Sequence, residues 1–291
     1  MLKTPMIILF SILLLSCTHA PNQGDAPREM ITNPFRTPVA KDLIDTSGKT
    51  LQTRFLLPEG YERTETASGS FGEYLRNLPL KPHGSKVKYY DGDIKNSGGV
   101  YEAVVDMDID PRDLQQCADA VIRLRAEYLY GQEKYDEISF EFTNGFEADF
   151  KTWRSGNRIG VDGNNVYWRA SSSANSSYKS FRKYLIMVFA YAGTYSVERE
   201  TEKVSIEDIQ VGDIFIKGGS PGHAVIVVDV AKNLETGEKI FMLAQSYMPA
   251  QEIQILQNPK NGQGNPWYDT DFERLRTPEW TFAKEALRRF E

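Results

Sequence analysis

The chain has 291 residues, 25% of them charged and 41% hydrophobic, and carries a formal net charge of -6. That length suffices for one large domain with an extension, and the acidic balance removes the basic footprint that nucleic-acid binding requires. Lys3 followed by the apolar residues 6–15 reads as a secretory signal over residues 1–16, too short to span a bilayer. Residues 20–46 are polar, with Pro21, Pro27, Pro34 and Pro38, and read as a tether. A single α+β domain is expected over 47–291. Strands are expected at 53–57, 86–90 and 101–109, with a short helix capped by Ser70 between the first two. Asp110 followed by Pro111 predicts the start of a long helix that runs to Tyr130 and stops at Gly131. A strand at 138–142 follows, closed by Asn144-Gly145, and 150–168 is mixed. Ser176 or Ser177 opens a second long helix through Tyr191, whose run 184–191 is almost wholly apolar and predicts burial on most sides. Apolar strands at 214–216 and 224–228 flank the turn cluster Gly218-Gly219-Ser220-Pro221-Gly222. Strands at 239–245 and 252–256 follow, then a loop over 258–266.

The stretch from Val211 to Asp229 joins Gly212-Asp213, a strand, the Gly-rich turn, Gly222-His223 and a second strand. It resembles the His-bearing hairpin of papain-like cysteine peptidases and amidases, in particular the bacterial NlpC-type and CHAP-type cell-wall enzymes. That resemblance implies an α+β fold with a papain-like half, a long helix packed on an antiparallel sheet or open barrel. It implies a substrate with an amide or peptide bond, such as a cell-wall peptide. Leu14-Leu15-Ser16-Cys17 resembles the bacterial lipobox, which implies cleavage before Cys17 and lipidation of its thiol. The chain would then be exported and held at a membrane of the bacterial envelope by its lipid, without a spanning helix. Asp113 to Tyr128, Phe142 to Gly145, Tyr191 to Thr194 and Ala244 to Gln251 resemble a family of uncharacterised bacterial lipoproteins, classed as a domain of unknown function.

With Cys17 committed to the anchor, Cys117 is a lone thiol and no intramolecular disulfide is available. Of the histidines, His19 lies beside the anchor, His83 lies in a Lys-Pro-His-Gly turn, and His223 sits at the mouth of the hairpin. A Cys–His enzyme could therefore use only Cys117 and His223, with an imidazolium lowering the thiol pKa. Pairing Ala231 with Lys239 puts His223 opposite Tyr247, so Gln245 or Ser246 could orient the ring, and Gln245 is favoured. Asp229 shares the strand face but lies about 20 Å away at strand rise. Against catalysis, Cys117 falls on the stripe Leu114, Cys117, Val121, Leu124 and Tyr128, where a thiol serves as a small core residue. If Asp110 caps the helix, Cys117 also lies two turns in, where the dipole has faded. Nucleophile and core residue both remain open for Cys117, and a non-catalytic binding domain on the same scaffold is the alternative function. Ser220 fits the literal nucleophile-elbow pattern but precedes a strand and lacks a later His. Asp106, Asp108 and Asp110 alternate as carboxylates do in a calcium loop, but lack its Gly and Glu. No metal and no cofactor are expected. Arg123, Arg125 and Glu127 are expected as ion pairs on an exposed helix face.

Overall fold

The computed structural model describes residues 43–291. In chain order its elements are α1 (Leu51–Arg54), β1 (Tyr61–Arg63), α2 (Phe71–Arg76), β2 (Tyr101–Val104), α3 (Cys117–Gly131), β3 (Ser139–Glu141), β4 (Glu147–Asp149) and α4 (Phe150–Arg154). There follow β5 (Asn157–Asp162), β6 (Asn165–Ala170), α5 (Tyr178–Tyr191), α6 (Thr194–Arg199), β7 (Thr201–Lys203), β8 (Ile214–Lys217), β9 (His223–Asn233) and β10 (Lys239–Gln245). The chain ends with β11 (Gln254–Leu256), β12 (Tyr268–Asp269), β13 (Arg274–Arg276), β14 (Thr281–Ala283) and β15 (Leu287–Phe290). The organising element is a nine-stranded sheet in the order β2-β11-β10-β9-β8-β15-β7, with β1 added to β9 and β12 to β10. Its pairings are antiparallel and it stays open rather than closing into a barrel.

The central strand β9 is buried on both faces, which explains its continuous apolar run. Ala224, Ile226 and Val228 face a core shared with α3 and α5, through Val121, Leu124, Leu185 and Val188. Val225, Val227 and Val230 face a second core closed by Phe215, Leu275 and Phe282. The lid on that second face is the β13–β14 hairpin, whose strands pair Leu275 with Phe282. Sequence periodicity does not reveal these strands, because each is only three residues long and β13 carries Arg274 and Arg276 on either side of Leu275.

The expected hairpin is present: Phe215 pairs with Val225 and Lys217 with His223. The β9–β10 register departs from expectation by one residue at the turn, where Lys239 faces Lys232. An irregularity between Met242 and Leu243 takes up that residue, so that Leu243 faces Val227 and Ala244 faces Ile226, as the sequence predicts. α5 also begins as expected, with the Ser177 hydroxyl accepting from the Ser180 N–H. Other expectations are corrected. Residues 53–57 are not a strand but the end of α1 followed by a bridge from Phe55 to Ile44. Residues 86–90 contribute isolated bridges only, at Lys88 and Tyr89. Leu43 to Asp45, at the end of the expected tether, already pack against the fold through hydrogen bonds to Leu56, Arg54 and Gly264. Cys17 lies outside the described residues.

The helix expected from Asp110 starts seven residues later, at Cys117. Asp110 is instead held by the Arg112 guanidinium at 2.5 and 2.9 Å, and the cap falls at Gln116, whose N–H is accepted by Asp119 Oδ2 at 3.0 Å. Arg123 is not on an exposed face. It is fully buried and held by Asp108, Gln115 and Glu127. Leu114 lies ahead of the helix, so the expected stripe begins at Cys117.

Asp229 breaks the apolar run of β9 and is fully buried. Its two oxygens accept from Arg63 Nε and Arg76 Nε, each at 2.6 Å. This triad ties β1 and α2 to the central strand. Replacing Asp229 by Ala strands two guanidinium groups, and urea unfolding should show a loss of about 3–5 kcal/mol. A loss under about 1 kcal/mol would mean that the triad is not part of the buried framework.

Candidate active site

Cys117 and His223 line one cavity of about 630 Å³ between the start of α3, the β8–β9 turn and the segment after β10. Another cavity, of about 500 Å³ beside α2, contains neither thiol nor imidazole. Cys117 is the first residue of α3, where backbone N–H groups have no intrahelical carbonyl partner and the helix dipole is positive. It is half-buried rather than sealed in the core. The backbone N–H groups of Ala224, Ala118 and Cys117 itself lie at its sulfur and favour the thiolate. Burial outweighs them and pushes the thiol up, aided by the nearby Asp119 carboxyl.

His223 is carried into the cavity by Gly222. A Cβ at that glycine would lie 2.4 Å from both Gly219 O and Thr194 Oγ1, so no larger residue fits between the turn and α6. The ring is buried and flanked by Tyr247, Trp280 and Phe282, with centroids at 4.8, 5.3 and 5.8 Å. Burial pushes its pKa down to about 4, against the hydrogen bond to Gln245, with Lys95 pushing the same way as burial. The expected imidazolium is therefore absent at neutral pH. The resting pair is a neutral thiol and a neutral imidazole, because the desolvation that shields the cleft disfavours both charges.

Gln245 is where the register expectation put it. Its Oε1 lies 2.9 Å from His223 Nε2. Ser246 is turned away, its hydroxyl engaged by the carbonyls of Gln115 and Gln251. Two residues with no local sequence signal complete the network. Gln245 Nε2 donates to Glu279 Oε2 at 2.6 Å, and Glu279 is clasped by Lys95 Nζ at 2.7 and 2.8 Å. Glu279 and Trp280 are delivered by the turn of the β13–β14 hairpin, closed by Thr277 and Trp280 hydrogen bonds. An ionised carboxylate only accepts, so the Gln245 amide must aim its NH₂ at Glu279 and its oxygen at His223. His223 must then donate from Nε2. The network thus assigns the Nε2–H tautomer and leaves Nδ1 as the lone-pair nitrogen.

The remaining candidates do not join this site. Asp229 is committed to the arginine triad. Ser220 lies on the cavity rim but at a turn between strands. Asp108 and Asp110 are paired with arginines, and among the described residues no group of acidic, Cys or His side chains is arranged to hold a metal.

The folded-state pKa of His223, about 4 against an ordinary 6.5, means that the unfolded chain binds more protons between those values. Its contribution to stability is intact above pH 6.5 and is lost as pH falls towards 4, by about 3 kcal/mol. Stability measured against pH for wild type and His223→Gln should diverge across that window, with wild type losing more. Parallel curves would mean that the imidazole is not held neutral.

A family model described as a domain of unknown function (4846) matches residues 51–289. No curated protein and no solved structure matches the chain.

Proposed function

We propose that this chain, which belongs to the family of domain of unknown function 4846, is a papain-like cysteine hydrolase of amide or peptide bonds. The observation that carries the reading is one cavity holding a thiol at the first turn of a helix and a histidine at the head of an antiparallel strand, with the ring oriented by Gln245. Cys117 Sγ attacks the carbonyl carbon while His223 Nδ1 takes the thiol proton. The N–H groups at the start of α3 stabilise the oxyanion. The carbon–nitrogen bond then breaks, and the leaving amine takes the proton from His223. Water, deprotonated by the same nitrogen, hydrolyses the thioester to a carboxylic acid and regenerates the thiol. Because both groups are neutral at rest, His223 acts as a general base rather than as half of a standing ion pair. The same neutrality favours the second reading, a binding domain on this scaffold, in which Cys117 never ionises.

Iodoacetamide should alkylate Cys117 in the folded protein, and mass spectrometry of the Cys117 peptide reads the rate. The rate should keep rising with pH beyond the ordinary thiol range, because burial pushes this thiol up. His223→Ala should slow it by about 100-fold near neutral pH. If Cys117 stays inert until denaturant is added, the catalytic reading fails and the binding domain remains.

The reading includes a location. The Leu14-Leu15-Ser16-Cys17 motif supports export, lipidation of Cys17 and attachment to a membrane of the bacterial envelope, with cell-wall peptides as the available substrate. Among the described residues no helix is long and apolar enough to cross a membrane. A fatty-acid probe should label the wild-type chain in cells and not Cys17→Ala, and equal labelling of both would remove the anchor.

A further inference from the structure

A residue lining the cavity carries a buried acceptor with no hydrogen-bond partner among the described residues. Asp119 lines it two residues beyond Cys117 and is only 6% exposed. Its Oδ2 caps Gln116, while its Oδ1 accepts no hydrogen bond. Among the described residues no lysine or arginine lines the cavity, whose other carboxylate, Asp113, is already engaged by the Ala250 N–H at 2.6 Å and Gln116 Nε2 at 3.0 Å. A buried carboxyl without a counter-charge is costly and invites a cation from outside. Trp280, which also lines the cavity, carries a second buried atom without a partner, the donor Nε1.

We propose that this cleft selects substrates that carry a protonated amino group close to the scissile amide, and that Asp119 is the residue that receives it. The inference rests on the hydrolase reading and narrows its substrate class to amides of amine-bearing acyl groups, such as peptides with a free amino end. Burial pushes the Asp119 carboxyl well up, opposed only by backbone N–H groups. A bound ammonium supplies the missing partner. It also cancels the Asp119 charge that helps hold the Cys117 thiol up, so the right substrate eases ionisation of its own nucleophile.

Three methanethiosulfonates of one reactive group test this on the full chain, read at the Cys117 peptide: the cationic 2-aminoethyl, the neutral methyl and the anionic 2-sulfonatoethyl reagents. In each, the Cys117 thiolate displaces methanesulfinate and forms a mixed disulfide. Wild type should favour the cation over the anion, and Asp119→Asn should shrink that ratio at least about tenfold. An unchanged ratio, with the methyl reagent labelling both proteins, overturns the inference and leaves the thiol reading standing. Failure of the methyl reagent to label folded wild type removes the hydrolase reading, and the inference with it. A measurement on wild type alone guards against misfolding of the variant. Alanyl-alanine amide should protect Cys117 from the methyl reagent and its N-acetyl counterpart should not. Equal protection by both, or none by the free amine, overturns the inference.

Discussion

The direction of the hydrogen bond between Gln245 and His223 depends on the ion pair between Lys95 and Glu279. Lys95 is only 4% exposed, and Glu279 supplies the counter-charge that its buried ammonium requires. Because the carboxylate accepts from both Lys95 and Gln245, it sets the orientation of the Gln245 amide, and the amide sets the tautomer of the imidazole. The proton-accepting nitrogen of the proposed base is thus chosen by a carboxylate on the turn of the β13–β14 hairpin. Burial lowers the Lys95 pKa while Glu279 opposes the shift. The value of the pair lies in specifying one arrangement of a polar chain inside an apolar site.

That chain can be rigid only because its mount is. β9 is clamped between two cores, with Ile226 and Val228 under the helices and Val225 and Val227 under the β13–β14 hairpin. His223 begins this strand, and the hairpin covering its second face also delivers Glu279 and Trp280. Packing and chemistry therefore share one element. The same enclosure explains the electrostatics of the site. Removing water raises the thiol pKa and lowers that of the imidazole, and the N–H groups at the start of α3 offset this only in part.

The parts legible in the sequence were those with a local or pairwise signal. The β8–β9 hairpin follows from β-branched runs about a Gly-rich turn, and Gln245 follows from counting back along the next hairpin. That count succeeded at the site because the irregularity at Met242 and Leu243 compensates an error made at the turn. α5 is marked by Ser177 and a long apolar run. The start of α3 was misread because Asp110-Pro111 is a strong generic signal, yet Arg112 captures the aspartate and the weaker pair Gln116 and Asp119 sets the cap. That displacement matters most, since it moves Cys117 from two turns inside a helix to its first residue. Lys95 and Glu279 had no signal at all, for their partnership spans 184 positions and is made by tertiary folding alone. Arg123 resembles a surface residue in the sequence because two of its partners, Asp108 and Gln115, lie in the irregular segment ahead of the helix.

The central claim is that His223 is a neutral base whose tautomer is dictated from Glu279 through Gln245. Nitrogen NMR of the imidazole in protein labelled at histidine tests it most directly, with His223 assigned by comparison with His223→Gln. Expected are a protonated Nε2 and a lone pair on Nδ1 at neutral pH, no imidazolium until the pH approaches about 4, and loss of this tautomer preference in Glu279→Gln, whose amide can donate to Gln245 as well as accept from it. A ring protonated at Nδ1, or one that titrates at the ordinary value of 6.5, would contradict it.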